Sequence, residues 1–121
     1  MEETISIILP AYNAGEYIVR TLKSVCGQTY SKLEIIVVDD GSTDNTLAIC
    51  KEYAKIDNRI KVYTKANEGV TKARDFGIGK ATGEFIGFVD SDDTIEPEMY
   101  EVLYNNIKKY DADISHCGYK T

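Results

Sequence analysis

The chain has no run of about 18 apolar residues, so no segment reads as a membrane span. It has no basic excess either: 14 Lys and Arg stand against 20 Asp and Glu, a formal net charge of −6. That balance excludes a nucleic-acid backbone or an anionic membrane surface as the main partner. It leaves room for a phosphorylated ligand, because a metal or a few local cations can invert the field of a site. Cysteines are few and odd in number: Cys26, Cys50 and Cys117 are scattered, without metal-ligand spacing. Reduced thiols in a cytosolic protein follow from that usage. The start, Met1-Glu2-Glu3-Thr4, lacks the basic residues and apolar stretch of a signal peptide. The lone histidine, His116, has no partner in sequence and reads as structural.

What is present suits one domain over 1–121. Hydrophobic residues make up 43% and charged residues 28% of 121, enough apolar material for a core. Apolar, β-branched runs alternate with helix-like stretches. Strands are expected at 5–9, 33–38, 60–63, 85–89 and 112–117, and their near-continuous apolar character predicts parallel pairing covered on both faces. Between them, Ile18, Leu22, Val25 and Cys26 form one helical stripe, and Leu47, Cys50 and Ala54 another. Ala73, Gly77 and Ala81 recur every four residues in the third helix, a small-residue stripe suited to close packing on a sheet. Pro97 suits the first turn of a fourth helix, whose inner face is Tyr100, Leu103, Tyr104 and Ile107. Alternating strands and helices imply a mostly parallel α/β sheet with right-handed crossovers.

Polar residues collect just after the strands' carboxyl ends: Pro10-Ala-Tyr-Asn13, Asp39-Asp-Gly-Ser-Thr-Asp44, Asn67-Glu-Gly69 and Asp90-Ser-Asp-Asp93. Ligands of open α/β sheets bind in the crevice at such ends, where strand order reverses. A fourth strand on the far side of the first would place that crevice between Pro10–Asn13 and Asp90–Asp93. Ser42, Thr43 or Asp44 can simply cap the second helix, and Gly41 suits a tight turn; neither explanation needs Asp39 or Asp40. The acidic cluster 90–93 follows an apolar strand without a spacer, and like charges so close call for a cation among them. Closely spaced carboxylate oxygens suit a hard divalent ion with water and phosphate completing its shell. A helix–loop–helix calcium site fails, because Ile95 stands where that loop needs glycine. Lys72 and Arg74 near the start of the third helix, after Gly69, could assist a phosphate, although a solvated face accounts equally well for Lys72. Tyr12 could stack on a flat ring or merely cover the sheet edge.

The segments SIILPAYNAGEYI, EIIVVDDGSTDNT, NEGVTKARDFGIGKATGEFIGFVDSDD and PEMYE, in this order and spacing, resemble the nucleotide-sugar-binding half of glycosyltransferase family 2, of the Rossmann-like GT-A fold. The resemblance covers roughly Ile5 to Tyr104. It implies that Pro10, Ala11, Tyr12 and Asn13 border the base and ribose of a nucleotide sugar, with Glu16 nearby. Asp40, with Asp39 as a second candidate, would face a uracil edge. Asn67, Gly69 and Arg74 would help close the nucleotide and diphosphate pocket. Asp90, Ser91 and Asp92 match the family's DxD motif, which binds Mn²⁺ or Mg²⁺ and the donor's ribose and diphosphate, with Asp93 as an alternative direct ligand. The family often has Asn where this chain has Asp75, a carboxylate expected to face away from the phosphates. The implied activity is inverting transfer of a sugar, from a UDP-sugar, to a glycan or glycolipid acceptor in polysaccharide or glycoconjugate synthesis. The general base and the acceptor-binding half are expected beyond Thr121, which makes this chain alone inactive. The expected location is the cytoplasm, or the inner face of the membrane as a peripheral protein.

Two alternatives come from other classes. A phosphoacceptor receiver-type signalling domain has a similar length and element order. It needs an acidic pair after the first strand, where Pro10–Asn13 has none, although Lys120 is suitably late. A non-catalytic nucleotide-binding domain would keep the cleft without the chemistry.

Overall fold

The computed structural model describes residues 3–110. Strands and helices alternate as β1 (Ile5–Ala11), α1 (Ile18–Cys26), β2 (Leu33–Asp39), α2 (Thr46–Ile56), β3 (Ile60–Thr64), α3 (Val70–Lys80), β4 (Phe85–Phe88) and α4 (Met99–Tyr110). The fifth strand expected over 112–117 lies outside the described residues, together with His116, Cys117 and Lys120. All pairings are parallel and the order is β3-β2-β1-β4. The chain therefore steps outward through β2 and β3, then returns to the other side of β1. This reversal sets the crevice between the ends of β1 and β4, as the sequence predicts. A receiver-type sheet would instead place β3 beside β1.

Every residue of β1 and β2 is buried, which explains their near-continuous apolar reading. Alternate side chains serve opposite faces. Ile5, Ile7, Leu9, Ile35 and Val37 share one core with Ile18, Leu22 and Val25 of α1, Cys50 of α2, and Tyr100 and Tyr104 of α4. Ile8, Ile36 and Val38 share the other with Ala73 of α3. The close approach of α3 depends on Gly77: a Cβ there would lie 2.6 Å from Ile8 Cγ2. Gly79 meets nothing and contributes no such contact.

Element ends differ slightly from expectation. β1 continues to Ala11, because Pro10 and Ala11 still pair with Val38 and Asp39. Pro97 lies in the turn before α4 rather than in its first helical turn, which begins at Met99. Among the described residues no helix is long and apolar enough to cross a membrane.

Glu34 is the exception inside the apolar run of β2. It is buried, yet its carboxylate accepts from Ser6 Oγ at 2.6 Å, Thr82 N at 2.9 Å, Thr82 Oγ1 at 3.1 Å and Lys61 Nζ at 2.7 Å. Burial alone would raise its pKa; the bonds from Lys61, Ser6 and Thr82 outweigh burial and hold it down at about 2. A depressed carboxyl stabilises the fold above the ordinary glutamate range, and that contribution disappears as pH falls through the folded value. Glu34→Gln should therefore cost about 2–3 kcal/mol at neutral pH by urea unfolding. The gap from the wild type should narrow between about pH 4.5 and pH 2.

Candidate functional site

The carboxyl ends of the parallel strands open onto a cleft of about 500 Å³, lined on the β1 side by Pro10, Ala11, Tyr12, Asn13, Ala14 and Tyr17. Asp40, Asn67, Gly69, Val70 and Ala73 also line it, as do Asp90, Ser91 and Asp92 after β4. Nine of the expected residues sit there together with Asp40 as the tenth: Pro10, Ala11, Tyr12, Asn13, Asn67, Gly69, Asp90, Ser91 and Asp92. Glu16, Asp39, Arg74 and Asp93 are not among the lining residues.

Hydrogen bonds between neighbouring loops shape this cleft. Asn13, after β1, adopts a left-handed backbone with φ 48°. Its N–H donates to Ser42 Oγ at 2.9 Å, and its side-chain Oδ1 accepts from Thr43 N at 2.8 Å. Ala14 N donates to Thr46 Oγ1 at 2.8 Å, and Gly15 N to Asp44 Oδ2 at 3.1 Å. The other Asp44 oxygen accepts from Thr46 N and Thr46 Oγ1. Those bonds from Thr46, with that from Gly15, keep the Asp44 carboxyl below its usual range. The stretch 42–46 is thus more than a helix cap: it fastens the loop that carries Tyr12.

The two adjacent aspartates separate. Asp39, the last residue of β2, is buried; its Oδ2 accepts from Thr64 Oγ1 at 3.0 Å, while Oδ1 is buried without a partner. Asp40 sits beyond the strand, where Oδ1 accepts from Glu68 N and Oδ2 from Gly69 N, each at 3.0 Å. Lys65 Nζ lies 3.6 Å from Oδ1. Asp40 therefore holds the loop that bears Asn67 and Gly69. Gly41 permits this contact: it has φ 73°, and a Cβ on it would lie 2.7 Å from Asn67 N.

The acidic turn after β4 and the segment that follows it are fixed from α1 and from Gln28 just beyond it. Thr21 Oγ1 donates to Ser91 O at 2.9 Å, Ile95 N donates to Ser24 Oγ, and Gln28 Nε2 donates to Glu96 O. Asp93 N donates to Asp90 O at 3.1 Å, closing the turn. Asp90 is half-exposed and pairs with Arg74 at 3.2 Å. Asp75 is exposed and lies outside the cleft lining. Among the described residues no group of three His, Cys, Asp or Glu forms a metal cage. The oxygen donors Asp90 and Asp92 instead fit a hard divalent ion held by one or two carboxylates and completed by ligand phosphates and water. Ala14, Tyr17, Val70 and Ala73 also line the cleft but were not assigned from sequence. For Tyr17 the available signal was its place just before the apolar stripe of α1, where it is the N-cap.

The family model for glycosyl transferase family 2 matches residues 6–120. The chain belongs to glycosyltransferase family 2. Among curated relatives, glycosyltransferase GlyG of Streptococcus pneumoniae is 44% identical over 115 residues, which is 94% of this chain and 38% of that protein. The structure of S. aureus TarS in complex with UDP-GlcNAc superposes with TM-score 0.83 at 36% identity, over 92% of this chain and 32% of that one. The mannosyltransferase PcManGT of Pyrobaculum calidifontis, in complex with GDP-Man and Mn²⁺, gives TM-score 0.77 at 26% identity, over 89% of this chain and 32% of that one. The chain thus spans about a third of GlyG, of PcManGT and of TarS 1–349, and 20% of the longer TarS chain. Family membership and strand order together set aside the receiver-type alternative.

Thr46 tests the loop fastening. It is fully buried, and Thr46→Val keeps its shape while leaving Ala14 N without an acceptor. The variant should lose about 1–3 kcal/mol in urea unfolding, whereas Thr46→Ser should stay near the wild type.

Proposed function

We propose that this chain is the donor-binding part of an inverting glycosyltransferase, with metal-dependent binding of a UDP-sugar as its own task. In the whole protein the sugar passes to an acceptor hydroxyl on a glycan or glycolipid, in polysaccharide or glycoconjugate synthesis. The observation that carries this reading is the cleft at the topological switch point, in a family 2 chain, lined by Tyr12 and Asp40 after β1 and β2 and by Asp90–Asp92 after β4. The complexes of TarS with UDP-GlcNAc and of PcManGT with GDP-Man and Mn²⁺ support a nucleotide-sugar ligand.

Each part of the cleft suits one part of such a ligand. Tyr12, 48% exposed at the rim, offers an aromatic face for a base. Asp40 accepts one backbone N–H at each oxygen and retains lone pairs on both. A carboxylate so placed can accept the imide N–H of uracil, which cytosine lacks. The N-terminus of α3 has no side-chain cap and opens at Gly69 and Val70 in the cleft wall, so its backbone N–H groups and helix dipole favour phosphate. Asp92, with Asp90 or Asp93, would hold Mn²⁺ or Mg²⁺, which supplies stabilisation for the charge on the departing nucleoside diphosphate. Among the described residues the cleft carboxylates are Asp40, Asp90 and Asp92, all assigned to the donor. The base that deprotonates the acceptor is therefore assigned to the acceptor-binding portion of the enzyme. The free thiols of Cys26 and Cys50 accord with a cytoplasmic protein, peripheral at the inner face of the membrane where its acceptor is a lipid.

Calorimetry with UDP tests this reading. Binding should be measurable with Mn²⁺ or Mg²⁺ and much weaker in EDTA. Asp92→Asn should cost at least about 1.4 kcal/mol of metal-linked affinity, a factor of ten, with stability unchanged or raised as like charges are relieved. Equal affinity with and without EDTA would overturn the metal role. No binding of any nucleoside diphosphate would overturn the donor site.

A further inference from the structure

Two aromatic rings line the cleft, Tyr12 and Tyr17, and a nucleotide base needs only one of them. Tyr17 is 42% exposed and belongs to neither core cluster. It stands at the N-cap of α1 without a side-chain cap bond. Among the described residues its hydroxyl makes no hydrogen bond. Neither the core nor the helix end therefore accounts for its ring.

The sheet order decides which side of the cleft Tyr17 serves. β2 and β4 flank β1 on opposite sides. The loop after β1 is fastened toward β2, through Asn13 to Ser42 and Thr43. Helix α1 is fastened toward β4, through Thr21 to Ser91 and Ser24 to Ile95. Tyr17 lies one helical turn before Thr21, whose N–H and Oγ1 both donate to the Tyr17 carbonyl. Its ring thus enters the cleft on the side of the acidic turn. The face of a phenol ring carries negative partial charge, which makes it a poor neighbour for a diphosphate. The same face suits the apolar C–H side of an uncharged sugar ring. In a UDP-sugar whose base lies at Asp40 and whose diphosphate lies at the acidic turn, the ribose is on the base side of the phosphates. The transferred sugar is on the other side.

On the donor-site reading above, we propose that Tyr17 is the platform for the sugar of the donor. Its ring packs against one C–H face of the sugar, and its hydroxyl is available to a sugar hydroxyl. A ring that merely covers the start of α1 has a different consequence: its loss would leave UDP and UDP-sugar affinities in the same proportion.

The test is calorimetry in Mn²⁺ with UDP and with UDP-GlcNAc, UDP-glucose and UDP-galactose, taking the sugar nucleotide that the wild type binds most tightly. Tyr17→Ala and Tyr17→Leu both remove the flat ring, and Tyr17→Phe keeps it. Affinity for the sugar nucleotide relative to UDP should fall about three- to tenfold in Tyr17→Ala and in Tyr17→Leu. Tyr17→Phe should retain most of that ratio, and UDP affinity should change less than about twofold in all three variants. An unchanged ratio overturns the platform. UDP affinity that falls together with that of the sugar nucleotide puts the ring on the nucleotide and overturns it as well. A wild type that binds UDP but none of the three sugar nucleotides does the same. Each of these results leaves the nucleotide site standing, whereas a wild type that binds no UDP overturns the donor site and the platform with it.

Discussion

The cleft depends on backbone N–H groups of one loop being answered by side-chain oxygens of the next. Where parallel strands stop, the chain leaves the ladder and its amides need new acceptors. Here Ser42, Thr46 and Asp44 answer Asn13, Ala14 and Gly15, and Asp40 answers Glu68 and Gly69. Ser24 of α1 does the same for Ile95 beyond the acidic turn. Each such bond is worth about 1 kcal/mol net, but a buried amide left without one costs more. The loops are therefore fixed as a connected set. The cleft wall is cross-linked without a ligand, which lowers the ordering that ligand binding would require.

This arrangement accords with the phosphate site proposed for a strongly acidic chain. Most of the local carboxylates are already engaged. Asp44 and Asp40 are tied to amides, and Glu34 is enclosed at the opposite end of the sheet by Lys61, Ser6 and Thr82. The other carboxylates that line the cleft are Asp90 and Asp92, and Asp90 is paired with Arg74. Net charge says little about a site when its carboxylates are distributed in this way.

Much of this was legible in the sequence, for identifiable reasons. Strands buried on both faces leave continuous apolar runs, and β1 and β2 are buried throughout. Clusters at the strand ends marked the cleft, since a parallel sheet brings all carboxyl ends to one edge. Long-range pairings left no such trace. Glu34 meets Thr82, distant in sequence, and Thr21 meets Ser91 across a longer gap still. Nothing local distinguishes Asp39 from Asp40 either. Their separation follows from the strand ending between them, which buries the first against Thr64 and leaves the second to the loop. Asn13 lines the cleft, and its side-chain oxygen accepts from Thr43, a contact with no local trace in the sequence. The stripe of small residues in α3 was read correctly at Gly77, where the sheet is in contact.

The most direct test of the account is a crystal structure of the chain with UDP and Mn²⁺, recorded with anomalous data near the manganese edge. The account predicts uracil beside Tyr12 and Asp40, the diphosphate near the N-terminus of α3, and one anomalous peak within ligand distance of Asp92 and the diphosphate. A nucleotide bound away from this cleft, or a nucleotide in the cleft with the anomalous peak remote from the 90–93 turn, would contradict it.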